Sequence, residues 1–313
     1  MAMSTFNPLR SLYRAVGFSK GYNFWLWFVF GGFFLGFVVA RLKYLDIYGV
    51  FCASSKGGKD AAPPGECFYY LQPGRYQSGI ISHLYLILPA SLLAFAQFIP
   101  IIRRKAMWFH RINGWIASVL ALIGTVPAVV IARKAMGGGL DTQSMVFLQG
   151  VMFSTALVIG CFHAYRRNIA QHRAWMIRAW VYGGAIVTMR VMMFFYVVAL
   201  SFAGGYYYPE PCEKVDWLLK GKNATLAAFP ECASFYSGED LNRHVAVYAS
   251  VFAGNIVSRA AILNLVFGPS GWTGIFLNLF GVETYLYLES GGRNTKKSAV
   301  VKSRENGDAI KAD

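Results

Sequence analysis

The chain has 313 residues, 56% of them hydrophobic and only 14% charged, with a formal net charge of +15. Apolar content this high and charge this low exclude an ordinary soluble domain. No aromatic-interleaved basic domain lies outside the apolar runs to make a nucleic-acid surface, and there is no phosphate-binding glycine loop, nucleophile elbow, dinucleotide fingerprint or acidic pair of the prenyl-diphosphate type.

At about 1.5 Å rise per residue, an apolar run of about 20 residues crosses the roughly 30 Å hydrocarbon core of a bilayer. Six such runs are predicted, an all-α polytopic bundle. Residues 1–21 form a basic cytoplasmic segment. The first span, 22–40, is too long for a signal peptide and shows no small-residue cleavage site, so it reads as a retained anchor. A loop at 41–78 follows, then spans at 79–102, 112–132, 142–162 and 174–203, a second long loop at 204–243, and a sixth span at 244–267. Gly268-Pro269-Ser270-Gly271 is expected to break the helix, leaving 272–288 along the membrane surface or re-entering it. Residues 290–313 are expected as a disordered polar cytoplasmic tail, with 22–289 the membrane domain.

Charge supports a cytoplasmic N-terminus. The segments that this topology puts inside carry 17 Lys and Arg against 5 Asp and Glu, those outside 11 against 10, as the positive-inside rule requires. Cysteines follow the same division. Cys52 and Cys67 lie in the first outside loop and Cys212 and Cys232 in the second, candidates for disulfides in any of three pairings, while Cys161 stands alone near an inner end. Asn223-Ala224-Thr225 is a glycosylation sequon on the same side. An oxidising lumen, that of the endoplasmic reticulum, is the expected setting. Phe68-Tyr69-Tyr70 and Tyr206-Tyr207-Tyr208 are expected in the outer aromatic belt.

Two stretches echo each other: RRKAMWFHRINGW at the inner end of the third span and RRNIAQHRAWMIRAW at that of the fifth. Arg and Trp there anchor a helix at headgroup depth. Anchoring does not require histidine, so His110 and His172 are candidate site residues. Arg190 and Arg259 fall inside predicted spans that contain no Asp or Glu, and an ionisable group at that depth costs several kcal/mol unless paired or watered. Helical spacing puts Tyr248, Phe252, Asn255 and Arg259 on one face of the sixth span, which reads as the wall of a polar cavity reached also by Gln97 and Gln149. His83 lies roughly 27 Å from the inner end of its span, too far to share an ordinary ligand with His110. No His-x-x-x-His or Glu-x-x-His pair is present to bind a metal.

The pattern His83, HR-x-x-GW at 110–115 and HR-x-WM-x-R at 172–178 resembles a family of predicted multi-pass membrane proteins of unknown function found in bacteria and fungi, over roughly residues 79–203. The chain is similar also to fungal membrane-bound terpene cyclases of ascochlorin and ascofuranone biosynthesis. That resemblance implies acid-initiated ring closure on a farnesylated phenol bearing a terminal epoxide, a lipophilic substrate reached from the bilayer, with no cofactor. The fungal cyclases are credited with acidic proton donors, which these spans lack. The donor here would be a histidinium, Glu283, or Tyr248 polarised by Arg259. The expected catalytic set is thus His110, His172, Arg190, Tyr248 and Arg259, with His83, Gln149 and Asn255 binding substrate. Two other readings stand beside it. One is a b-type haem electron carrier, pairing His110 with His172 or His83 with His244. The other is a non-catalytic carrier or receptor for an anionic lipophilic ligand.

Overall fold

The fold is taken from a computed structural model, which describes residues 8–309, with side chains over 12–290. Six helices among the described residues are long and apolar enough to cross a bilayer: Gly21–Leu45, Arg75–Gln97, Met107–Ile131, Leu140–Tyr165, Ile169–Ala203 and Ile256–Ser290. They make a polytopic helical bundle. "Inner" denotes below the end holding the 97–107 and 165–169 connections, "outer" the end holding the two cysteine loops.

The second and third spans form one antiparallel hairpin and the fourth and fifth another. Each is pinned by a histidine on a glycine carbonyl: His83 Nδ1 to Gly124 O at 2.8 Å, and His172 Nδ1 to Gly160 O at 2.9 Å. A carbonyl oxygen only accepts, so Nδ1 carries the proton in both. Pro127 lies inside the same helix three residues beyond Gly124 and lacks the N–H that would bond back to the Ile123 carbonyl. The fifth span is interrupted at Gly183–Gly184, between helices Ile169–Gly183 and Ala185–Ala203. Its carbonyls there are taken by neighbours: Val181 O accepts from Asn278 Nδ2 at 2.7 Å and Tyr182 O from Gln149 Nε2 at 3.2 Å. In hydrocarbon no water is available for that task.

The sixth span corrects the sequence expectation. Residues His244–Tyr248 form a strand, β2, paired antiparallel with β1 (Tyr207–Pro211), and alternate exposed and buried along its length. The apolar run HVAVY thus has period two and belongs to the outer cap. The helix starts only at Ile256 and passes through 268–271 without a break, with Pro269 inside it. A Cβ on Gly268 would meet Asp141, on Gly271 Met145, and on Gly274 the Ala185 carbonyl at 3.0 Å. The glycines read as a breaker are the stripe by which the sixth span closes on the fourth and fifth, and a membrane helix tolerates the proline among them. Residues 272–288 are therefore the inner half of a full crossing. The backbone stays helical to Ala309, where a disordered tail was expected.

The lower half brings into a span carboxylates that the expected sixth span, ending at 267, left outside it. Glu283 takes a two-point ion pair from Arg178 at 2.6 and 2.7 Å, and Glu289 one from Arg173 at 2.6 Å. These planar forks fix the inner end of the sixth span on the fifth.

Outside, Cys52 is bonded to Cys67 and Cys212 to Cys232, each pair within its own loop. The two caps meet over the bundle among buried polar groups. Glu210 pairs with Lys214 at 3.0 Å and accepts from Asn264 of the sixth span at 2.5 Å, while Glu66 accepts from the Met136 amide at 2.9 Å and from Tyr70 Oη at 3.2 Å. Gly65, at φ +86°, lies so close to Lys214 that a Cβ would stand 2.3 Å from its Cε. Phe68 and Tyr70, expected in the aromatic belt, are core residues of the cap; Tyr206 and Tyr207 remain exposed at its edge. Asn223 is exposed on a short helix, while Thr225 of the sequon is buried and donates to Gly221 O at 3.1 Å.

Candidate functional site

The first span, WFVFGGFFLGFVVAR, is a poor packer: glycines interrupt it, and it widens to a π turn over Trp27–Gly31. It lies at the edge of the bundle, held in part by Trp27 stacked on Phe95 of the second span at 5.5 Å. Nothing lies within 4 Å of where a Cβ would stand on Gly32 or Gly36. Facing this wall, Val187, Arg190 and Val191 share one side of the outer half of the fifth span. Between them runs a lateral cleft of about 820 Å³, its rim almost wholly apolar side chains apart from Trp27, Arg41 and Arg190.

All three polar groups are donors. Nε of Arg190 is buried with no hydrogen-bond partner among the described residues, and Nη1 reaches only the Met193 sulfur at 3.5 Å. Its guanidinium also stands 5.3 Å from the Phe267 ring centre. Trp27 Nε1 is likewise buried and unpartnered among the described residues. Arg41 lies over the Phe37 ring at 3.8 Å and donates to the Phe37 carbonyl at 3.4 Å. No Asp or Glu lines the cleft. A cavity with unfilled donors and no acceptor accommodates a guest that brings oxygens, since an unmet buried donor costs about 1–3 kcal/mol.

Of the residues expected from sequence, Arg190 is the one placed in this cleft. His110 and His172 come together elsewhere, at the inner ends of the third and fifth spans, within electrostatic reach of one another and of Arg103 and Arg111. There His110 Nδ1 is buried without a partner among the described residues, as is Gln97 Nε2 one helical turn away, packed against Gly114.

The remaining expectations are corrected. Tyr248, Asn255 and Arg259 share no helix face: Tyr248 is on β2 opposite Tyr207, Asn255 Oδ1 caps the sixth span by accepting from the Ser258 amide at 2.7 Å, and Arg259 is exposed one turn later, at the outer end. Gln149 is spent on the Tyr182 carbonyl and His83 on that of Gly124, so both are structural pins. His244 is exposed on β2 with Nδ1 on Asn242 O at 2.6 Å. No cluster of three His, Cys, Asp or Glu able to hold a metal occurs among the described residues.

Trp27 and Arg41 were missed. Arg41 carried a signal, being an arginine at the outer end of a span, where basic residues are depleted. Trp27 did not, because an indole at a span's inner flank reads as an interfacial anchor.

Fold and cleft define a helical polytopic membrane protein with a cleft in one side of its bundle. Residues 80–207 match the model of a family described as predicted membrane protein DUF2306. The chain is also similar to the Ava biosynthesis cluster protein G of Aspergillus versicolor, at 27% identity over 149 residues, 44% of each chain. It thus spans less than half the length of that curated relative. No solved structure matches.

Proposed function

We propose that this is a membrane enzyme of secondary metabolism, resident in the endoplasmic reticulum, that takes a prenylated small molecule from the bilayer through the lateral cleft and closes a ring on it by opening a terminal epoxide. The observation that carries the reading is the pairing of an open apolar wall at Gly32 and Gly36 with the unpartnered Nε of Arg190. The biosynthesis-cluster relative supports the setting in secondary metabolism, and the choice of substrate rests on the resemblance to the fungal cyclases.

In this reaction an epoxide C–O bond breaks as an alkene supplies electrons to a new C–C bond. The proton lost when the carbocation is quenched balances the one gained by oxygen, so the product is an isomer. With the head of the substrate held at Arg190, the distal epoxide lies toward Trp27, whose buried and unpartnered Nε1 is the donor able to hold charge developing on that oxygen, in a setting of low dielectric where such donors count most. Aromatic faces of Phe28, Phe33 and Phe95 line the route of the cation.

The test is conversion of a farnesylated phenol epoxide by microsomes containing the protein, read by mass spectrometry and retention time. An isomeric cyclic product should form, and Arg190→Ala should lower the rate by about 10²-fold or more. Unchanged turnover in that variant would remove the cleft from the chemistry. A stoichiometric Soret band on purified protein, with no conversion, would give the molecule to electron transfer through the inner histidines instead.

A further inference from the structure

From the charge balance of the cleft, we infer that its guest carries a carboxylate head on a single isoprenoid-like chain, clasped between Arg190 and Arg41. The inference rests on the reading of the cleft as the substrate site and specifies the class of substrate.

Two guanidiniums sit on one apolar cavity, each within electrostatic reach of the other. Arginine does not shed its proton in proteins, so the cleft confines two like charges where the dielectric is low and their repulsion is strong. No carboxylate in the lining offsets them. The acid whose charge reaches Arg190 is Glu66, and both of its oxygens are engaged in the cap, by the Met136 amide and Tyr70. A neutral ether or alcohol would fill the unmet donor of Arg190 yet leave the repulsion standing. An anion meets both demands, and a planar carboxylate matches the guanidinium fork.

Shape narrows the class further. About 820 Å³ lies within the range for one drug-sized ligand. Trp27 and Arg41 are separated by 14 residues of one helix, roughly 21 Å, so a chain held by its head at the arginines runs past Gly36 and Gly32 toward the Trp27–Phe95 stack. One slender chain fits this groove, which favours a prenylated acid over a two-chain phospholipid.

The experiment measures equilibrium binding of a radiolabelled farnesylated hydroxybenzoic acid and of its methyl ester, with the phenol oxygen capped in both, to the full chain in phosphatidylcholine nanodiscs. The acid should bind at least tenfold more tightly than the ester, equivalent to about 1.4 kcal/mol. That preference should fall to within about twofold in Arg190→Gln and in Arg41→Gln, each checked for a monodisperse elution profile and an unchanged melting curve. Equal binding of acid and ester to the unaltered protein, with both lost on filling the groove by Gly36→Phe, would overturn the acidic head while leaving the cleft as substrate site. Binding indifferent to Gly36→Phe would overturn both. Displacement of the acid by equimolar phosphatidic acid would assign the two arginines to a lipid headgroup and overturn the inference.

Discussion

Glu66 shows how much a single buried group can govern. Burial pushes its carboxyl up to about 7, against the opposing pull of Lys214 and the hydrogen bonds from the Met136 amide and Tyr70, with Glu210 adding to the rise. The unfolded chain keeps the ordinary glutamate value of 4.5. Between these values the folded protein holds a proton that the unfolded chain has lost, so stability falls as pH rises across the interval and levels off above about 7. At about 1.4 kcal/mol per unit, the full effect is of order 3 kcal/mol. The outer cap should therefore melt a few degrees higher at pH 6 than at pH 8, and Glu66→Gln should flatten that difference, as thermal-shift curves in detergent would show. A Glu66→Gln curve with the parental pH slope would assign the effect to another group. The neighbouring Tyr70 is likewise pushed upward, by burial and then by Glu66, and stays neutral across the range.

Arg190 was legible at this scale because a lone cation in an apolar run has few explanations. Arg259 was misjudged for a reason one scale higher: its depth depends on where its helix begins.

Helix boundaries in membranes are set by what the neighbours can satisfy. Gly183–Gly184 and Pro269 look alike as breakers in sequence, yet the first interrupts a helix and the second does not. At the first, Gln149 and Asn278 stand ready for the exposed carbonyls; at the second, close packing on the fourth and fifth spans holds the helix through the proline. Two glycines make a test of this contrast. At Gly274 an added side chain would meet backbone at Ala185 O and Met189 N, both at 3.0 Å, whereas at Gly36 nothing lies within 4 Å. Gly274→Leu should cost at least about 1–3 kcal/mol and lower the aggregation temperature in fluorescence-detected size exclusion, while Gly36→Ala should leave it nearly unchanged. Equal behaviour of the two variants would refute the packing role of the sixth-span stripe. The hairpins follow the same rule: His83 and His172, which as letters resemble ligands, each spend Nδ1 on a partner helix.

The whole molecule is a bundle closed at its outer end by two cross-linked caps and left open at one side. The caps meet where Gly65 packs on Lys214 and Phe68 on Trp217; Glu66–Met136 ties the first cap to the third–fourth connection, and Glu210, paired with Lys214, ties the second to Asn264 of the sixth span. The Cys212–Cys232 bridge closes a separation of 20 residues beside that junction. Replacing both cysteines by serine should cost about 3 kcal/mol, and should raise protease cleavage within 204–243 in right-side-accessible preparations while leaving the spans intact. Unaltered protease resistance would mean that the buried polar junction alone holds the cap. The first span carries no such fastening along Gly32–Gly36, and that is what leaves the cleft open.

What the sequence determined by itself was everything that depends on composition along one segment: the membrane class, six apolar helices long enough to cross, and the place of Arg190 within one of them. These follow from transfer of apolar residues out of water and from the cost of a charge among them, which each segment expresses alone. The tertiary structure decided which carbonyl took His83, which acid met Arg178, and that HVAVY is a strand in a cap. It also decided that Arg41 and Arg190, 149 positions apart, share one cleft. Those outcomes depend on what packs opposite each residue, and the partner's distance along the chain carries no trace of it.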